Sequence, residues 1–298
     1  MNPKLFIRIH PADHRGGRTA LYFRPSTLNE TIDTLARHGG QILSGGTDFF
    51  PALGDRPVSS PIVDISGVSE LRGISFTDTG TRIGGLTTWT EVLRARLPRG
   101  FDALKAAARE VGSIQIQNRG TVAGNLCNAS PAADGVPPLV ALDAEVELAS
   151  QSGLRRLRLS QFLVGNRRTL RRTDEVLSAV VVPRALDSAR SAFLKLGSRR
   201  YLVISVVMVA AIVDVDGEGK VRQARVAVGS CSAVARRLIE LEQHLAGVKA
   251  ERGFTNAVSP EHFSALSPID DVRATADYRR EAALTLVKRA LEACVEDG

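Results

Sequence analysis

The longest apolar stretch in the chain, Leu202–Val213, spans 12 residues and is interrupted only by Ser205. A membrane-spanning helix needs about 20 such residues, so this stretch is expected to be a strand buried on both faces. Residues 1–17 lack the apolar region of a secretory signal, which gives the expectation of a soluble, cytoplasmic chain. Hydrophobic residues make up 44% and charged residues 24% of 298 residues, enough apolar material for a sizeable core. At about 150 residues per domain the length suggests two domains. Widespread disorder and collagen-like or coiled-coil architectures are excluded by the same balance.

Periodicity divides the chain. Over 20–185, short apolar runs alternate with helical patterns. Leu28, Ile32, Leu35 and Ala36 recur at helical spacing within Thr27–His38, with Ser26 or Thr27 as N-cap and Gly39-Gly40 as the stop. Strands are expected at Gln41–Leu43, Pro61–Ile65, Thr81–Leu86, Glu145–Ala149, Leu154–Leu159 and Glu175–Val182, and helices at Thr88–Ala95 and Phe101–Val111. Beyond residue 187 the texture changes. Ala192–Leu196, Leu202–Val213 and Val221–Val228 read as strands, the last two joined through Asp216-Gly217-Glu218-Gly219 as an antiparallel hairpin. Helical patterns follow at Ala233–Leu245 and Ala276–Val295. Strands followed by helices predict an α+β domain. The expected division is an N-terminal extension over 1–19, a first domain over 20–186 and a second over 187–298.

The charge balance is mildly basic, with 39 Lys and Arg against 32 Asp and Glu. Aromatic residues are only 5%, too few for a stacking surface for nucleic acid. The most basic stretch contains Arg155, Arg156, Arg158, Arg167, Arg168, Arg171 and Arg172, and reads first as a solvated face and second as a docking surface for an acidic partner. Cys127, Cys231 and Cys294 are far apart, and no CxxC or paired His spacing exists, so no metal or iron–sulfur site is expected in this chain.

Two glycine segments carry the chemistry. In the first, Leu43-Ser44-Gly45-Gly46-Thr47-Asp48, paired glycines after a strand bring backbone N–H groups against an anion, and Thr47 adds a hydroxyl. Asp48 suits bracing the loop or accepting from a ribose or flavin donor. The pattern is neither GxGxxG nor GxxxxGK, which argues against a Rossmann site or a P-loop. The second, Gln117–Asp134, is polar and rich in turn residues, and reads as a long functional loop between a helix and Pro137-Pro138. Its Asn and Thr side chains supply neutral hydrogen bonds suited to pyrophosphate, ribose or a flavin ring. Two such segments in one domain suggest a dinucleotide held along its length.

These motifs, together with Ile83-Gly84-Gly85-Leu86-Thr87-Thr88, Lys195-Leu196-Gly197-Ser198-Arg199-Arg200, Val226-Ala227-Val228-Gly229 and the stretch Asp271–Arg280, resemble the FAD-binding subunit of molybdenum hydroxylases. That family contains the medium subunit of carbon monoxide dehydrogenase and the flavin module of xanthine dehydrogenase, and the resemblance runs from residue 20 to near the end. It implies an α+β chain: a two-subdomain FAD-binding domain of the p-cresol methylhydroxylase type, then a small C-terminal domain of the carbon monoxide dehydrogenase flavoprotein type. The family's first pyrophosphate loop falls on Leu43, Ser44, Gly45, Gly46, Thr47 and Asp48, and its second on Thr121, Val122, Ala123, Gly124 and Asn125. Further flavin contacts map to Ser130 and Asp134, and a basic position near the isoalloxazine maps to Arg199 or Arg200. Three residues depart from the usual pattern: Ser44 for Ala, Ala123 for Gly, and Val203 where an Asp often follows the paired arginines. Ala123 requires a negative φ.

By the same resemblance the chain binds FAD non-covalently and has no catalytic residue of its own. An iron–sulfur small subunit with [2Fe–2S] clusters and a molybdopterin large subunit are implied as partners, in a dimer of heterotrimers. Electrons would pass to NAD⁺, a quinone, dioxygen or another acceptor. The competing readings are a stand-alone flavin oxidase or dehydrogenase of the same fold and a cofactor-free scaffold. Trp89 reads as core.

Overall fold

In the computed structural model, residues 21–186 and 189–296 are described. The expected extension over 1–19 lies outside them. The chain opens with β1 (Tyr22–Phe23), α1 (Leu28–His38), β2 (Gln41–Leu43), α2 (Phe49–Leu53) and β3 (Ile62–Asp64). The three strands pair in parallel in the order β1-β3-β2. As its pattern predicts, α1 starts where the Thr27 hydroxyl accepts from the Glu30 N–H and stops at Gly39, whose φ is 61°. The first glycine segment therefore leaves the carboxyl end of a parallel strand, the end at which open sheets place ligands.

Next come β4 (Ile74–Thr77), β5 (Gly80–Gly84), α3 (Trp89–Arg94), α4 (Asp102–Glu110), α5 (Ile114–Arg119), α6 (Val122–Asn128), α7 (Val136–Ala141), β6 (Glu145–Ser150) and β7 (Gly153–Arg158). The short α8 (Leu159–Phe162), β8 (Leu163–Gly165) and β9 (Arg168–Thr169) lead to β10 (Val176–Pro183). An antiparallel sheet forms in the order β4-β5-β10-β6-β7. Its central strand β10 is buried from Val176 to Val182, which its unbroken apolar run requires.

The stretch 117–134, read from sequence as a loop, is largely helical. Asn and Gly have low helix propensity, but three local features outweigh it. Thr121 caps α6 by accepting from the Gly124 N–H, Val122 and Leu126 are buried one turn apart, and Ala129 ends the helix in the left-handed region at φ 47°.

The remainder comprises β11 (Arg190–Leu196), β12 (Val207–Val215), β13 (Val221–Gly229), β14 (Arg236–Arg237), α9 (Ile239–Leu245) and α10 (Ala276–Glu296). The four strands form an antiparallel sheet in that order, with the Asp216–Gly219 turn joining β12 to β13 as expected. Two stretches differ from the sequence reading. Residues 202–206 are not strand: Leu202 takes φ 51°, and the Ser205 hydroxyl is drawn to Asp134, so pairing begins at Val207. The helix expected from Ala233 begins at Ile239, because Arg236 and Arg237 pair with β13 and Arg237 is held by Asp143 and Glu242.

Alternation along β12 explains how the pieces join. Met208, Ala210 and Ile212 enter a core shared with residues of α3, α4, α6 and α7, whereas Val207, Val209, Ala211 and Val213 enter a core with α9 and α10. One sheet thus seals both its faces, and the first core runs continuously beneath the two predicted domains.

Candidate functional site

The two glycine segments, far apart in sequence, meet. Ser44 Oγ lies 2.9 Å from Thr121 Oγ1. Gly45 packs so closely on the second segment that a Cβ there would stand 2.0 Å from the Arg119 carbonyl oxygen, and Gly46 takes φ 77°. A strap over 87–89 fixes the second segment, with the Val122 N–H donating to Thr87 O at 2.9 Å and the Trp89 N–H to Gly120 O at 3.2 Å.

The junction opens into a cleft. Ser44, Gly45, Gly46, Thr47 and Asp48 line one side, and Gly120, Thr121, Gly124 and Asn125 the other. Ile42, Phe49, Trp89, Val111 and Ile116 close it with apolar surface. Trp89 is core, as expected, since it is 1% exposed, yet its ring also walls the cleft. A second depression shares Ser44, Gly45 and Thr121 and extends past Ser66, Arg72 and Asn118. The Asn125 side-chain oxygen is buried without a hydrogen-bond partner. A buried acceptor left unpaired costs about 1–3 kcal/mol, so this atom marks a place where a donor is wanted.

Other predicted site residues sit differently. The side chains of Leu43, Val122 and Ala123 are buried in the protein, and none of the three lines the cleft. Ala123 lies inside α6 and is not among the described non-glycine residues with positive φ, which meets the condition its methyl imposes. Ser44, where the family usually has Ala, ties the two segments together through its hydroxyl. Ser130 turns onto the Ala132 N–H at 3.3 Å and does not line the cleft. Arg199 lies on the β11–β12 connection, its guanidinium donating to the Leu202 carbonyl. Val203 packs against Gly197.

Asp134 forms a buried cluster that the sequence reading missed. Lys195 Nζ approaches Asp134 Oδ2 at 2.7 Å and Ser205 Oγ donates to Asp134 Oδ1 at 2.6 Å. Burial drives the Asp134 carboxyl above the usual carboxylate range, and the Lys195 ammonium and the Ser205 hydroxyl pull against it. The carboxylate comes from the α6–α7 connection and both partners from the β11–β12 region. Lys195 stands within a quoted motif, and a buried carboxylate needs a counter-cation, which is the signal that pairs them. Burial also pushes the Cys127 thiol up to about 11, only partly offset by Arg171, which leaves it a poor nucleophile.

Four of the seven arginines in the basic stretch are engaged internally. Arg155 binds the buried Glu175 at 2.5 Å and Arg156 binds Glu147 at 3.0 Å. Arg167 donates to Asn128, and Arg171 to the carbonyls of Arg172 and Glu175. Those contacts brace β6, β7 and β10, and the docking surface proposed from charge density finds no support in them.

Residues 15–185 match the family model of the FAD-binding domain in molybdopterin dehydrogenase, and residues 192–294 match that of the carbon monoxide dehydrogenase flavoprotein C-terminal domain. The nicotinate dehydrogenase FAD-subunit of Eubacterium barkeri is 31% identical over 276 residues, covering 90% of this chain and 93% of that protein. The chain belongs to the FAD-binding subunits of the molybdenum hydroxylases. The carbon monoxide dehydrogenase medium chain of Hydrogenophaga pseudoflava is 27% identical, over 91% of this chain and 96% of its own length. In the solved quinoline 2-oxidoreductase of Pseudomonas putida 86, one chain superposes with a TM-score of 0.84 at 26% identity, covering 95% of this chain and 99% of that one. The cofactor of this family's subunit is FAD. The cleft fits such a group, because it combines main-chain approach at Gly45-Gly46, hydroxyls at Thr47 and Thr121, and the unpaired Asn125 oxygen. Among the described residues, no group of three or more His, Cys, Asp or Glu is placed to hold a metal ion, and no helix is long and apolar enough to cross a membrane.

Proposed function

We propose that this FAD-binding subunit is the electron-transfer arm of a molybdenum hydroxylase, taking electrons from [2Fe–2S] clusters of a partner subunit and delivering them to NAD⁺, a quinone, dioxygen or another acceptor. When bound, FAD supplies a redox centre able to work with one-electron donors and two-electron acceptors. The observation that carries the reading is the junction of the two glycine segments around the unpaired Asn125 oxygen.

In this reading Ser44, Gly45, Gly46, Thr47 and Asp48, entered from Leu43, hold the first half of the dinucleotide's pyrophosphate, and Thr121–Asn125 hold the second. Among the first-turn amides of α6, the Val122 N–H goes to Thr87 O and the Gly124 N–H to Thr121 Oγ1, which leaves the Ala123 N–H for a phosphate oxygen. Asn125 Oδ1 accepts from a ligand donor. The family resemblance assigns Ser130 and Asp134 to the flavin side, outside the cleft formed by the two glycine segments. Asp134 is held there by Lys195 and Ser205, so the C-terminal unit, assigned to 187–298, orients a group contributed by the FAD-binding unit, 20–186. Arg199 approaches the isoalloxazine from the β11–β12 connection. The binding is non-covalent, which the protonated Cys127 thiol supports.

The partners are an iron–sulfur small subunit and a molybdopterin large subunit, arranged as a dimer of heterotrimers. Relatives bear names such as FAD-subunit and medium chain, which supports the subunit reading. The test is an absorbance spectrum of the purified chain with and without added FAD, followed by co-purification from its native cells. Flavin bands together with iron–sulfur and molybdenum subunits are expected. A flavin-loaded chain that remains alone and turns over an organic substrate would replace this reading with the stand-alone enzyme, and a chain that takes up no FAD would replace it with the scaffold.

A further inference from the structure

The two units also meet at a seam that shares no lining residue with the glycine cleft. Asp143, which follows α7 at φ 51°, is gripped from the second unit by Arg225 at 2.7 Å and Arg237 at 2.5 Å, and Arg237 also binds Glu242. Two guanidiniums and two carboxylates therefore balance within the seam. A depression opens beside them. Arg158 and Ser160 reach it from the first unit and Arg236 from the second, and Val140, Val234 and Ile239 give it an apolar wall.

Its donors are not used by the protein. Among the described residues, the Arg158 and Arg236 guanidiniums and the Ser160 hydroxyl have no hydrogen-bond or ion-pair partner. Arg158 makes no ion pair even with Glu145, the residue opposite it across the β6–β7 ladder. The main chain that carries these donors is nonetheless fixed. The Leu159 N–H, between Arg158 and Ser160, donates to Ala144 O at 2.8 Å, and Arg236 pairs with Val228 across the β13–β14 ladder. Because the seam's own ion pairs are balanced, Arg158 and Arg236 leave the depression positively charged.

One guanidinium fork already matches the two oxygens of a carboxylate. Two forks from different units and a hydroxyl donor suit a group with more oxygens and more charge. A phosphate monoester has three acceptor oxygens and a charge of about −1.5 to −2 at neutral pH. We propose that this depression binds a phosphate monoester with an apolar body, the phosphate held by Arg158, Arg236 and Ser160 and the body lying against Val140, Val234 and Ile239. Such a ligand touches both units and stabilises their junction by mass action. The site does not depend on the cofactor reading, because neither arginine lines the glycine cleft.

The test is calorimetric titration of the full chain, saturated with FAD in phosphate-free buffer, with phenyl phosphate, inorganic phosphate and benzoate. Arg158→Gln and Arg236→Gln are compared with the parent and with Arg168→Gln, an exposed arginine of the same basic stretch that does not line the depression. The parent should take up phenyl phosphate at one site, and bind inorganic phosphate and benzoate at least about tenfold more weakly, since the first lacks the apolar body and the second the extra oxygen and charge. Each of Arg158→Gln and Arg236→Gln should weaken phenyl phosphate at least about tenfold with flavin absorbance unchanged, and Arg168→Gln should bind as the parent does. Absence of saturable uptake by the parent, or parental affinity in either arginine variant, would overturn the site. Equal loss in Arg168→Gln would reduce it to unspecific charge attraction and overturn it as well. Benzoate bound as tightly as phenyl phosphate would contradict the phosphate, and inorganic phosphate bound as tightly would contradict the ester. If the chain takes up no FAD, the cofactor reading fails by itself, and the same titration of the chain as purified decides the phosphate site.

Discussion

The glycine cleft and the arginine-rich stretch invite opposite readings from sequence and turn out to be opposites in structure. The arginines look like an open basic surface, but the best placed of them close onto Glu147, Glu175 and backbone carbonyls that lie inside the protein. The glycine segments look like ordinary turns, yet their junction leaves a buried oxygen on Asn125 with nothing to bind. Charge density marked a brace, and an unsatisfied polar atom at the meeting of two glycine segments marks the proposed site. Polar groups that already have partners stabilise the fold.

Variants can separate the two. The largest effect is expected where the proposed flavin side and the fold coincide. Lys195→Met leaves the Asp134 carboxylate buried without its cation, and should cost about 3–5 kcal/mol, read by denaturant unfolding, while shifting flavin absorbance. An unchanged spectrum would detach that cluster from the cofactor. Gly45→Ala drives a methyl toward the Arg119 carbonyl, which is backbone and cannot swing aside. It should lower stability by about 3 kcal/mol and strip FAD from the purified protein. Arg155→Met removes the cation from the buried Glu175 and should cost about 2–3 kcal/mol, at the low end for a buried pair because the arginine is partly in solvent. FAD affinity should stay unchanged, and a matching loss of FAD would erase the contrast between the two regions. Asn125→Ala is the converse: about tenfold weaker FAD binding with the thermal midpoint unmoved or slightly raised, because an unpaired buried oxygen is removed.

The smallest effect is a response to acid. Burial alone would raise Asp271, but the N–H groups of Arg273 and Ala274 and the Arg279 guanidinium lower it to about 2. A carboxyl held below its unfolded value of 3.8 contributes stability above that pH, and the contribution is lost as pH falls toward about 2. Unfolding titrations should therefore lose stability over that window in the parent, with a shallower slope in Asp271→Asn.

Much of the fold was legible because local signals agreed with tertiary ones. Thr27 and Gly39-Gly40 bound α1, and the glycine-rich turn at Asp216–Gly219 joins β12 to β13. Two of the failures share one cause, which is that distant partners overrode local preference: Ser205 bends toward Asp134 and delays β12, and Arg237 reaches Asp143 and displaces the start of α9. The third is local, because the Thr121 cap with a buried Val122 and Leu126 turns a polar, glycine-bearing stretch into α6. At the site, the composition of both glycine segments is what points to the proposed cofactor contacts. Their contact through Ser44 and Thr121, 77 positions apart, did not show in either segment alone. Lys195 was visible as part of a motif, but its pairing with Asp134 required the fold.

The central claim is that the junction of these two segments holds FAD. Its most direct test is titration of the deflavinated chain with FAD, followed by flavin fluorescence, in parallel for the parent, Asn125→Ala and Arg155→Met. The account predicts stoichiometric uptake by the parent and by Arg155→Met, with about tenfold weaker uptake by Asn125→Ala. Equal affinity in the parent and Asn125→Ala, or a selective loss in Arg155→Met, would contradict it.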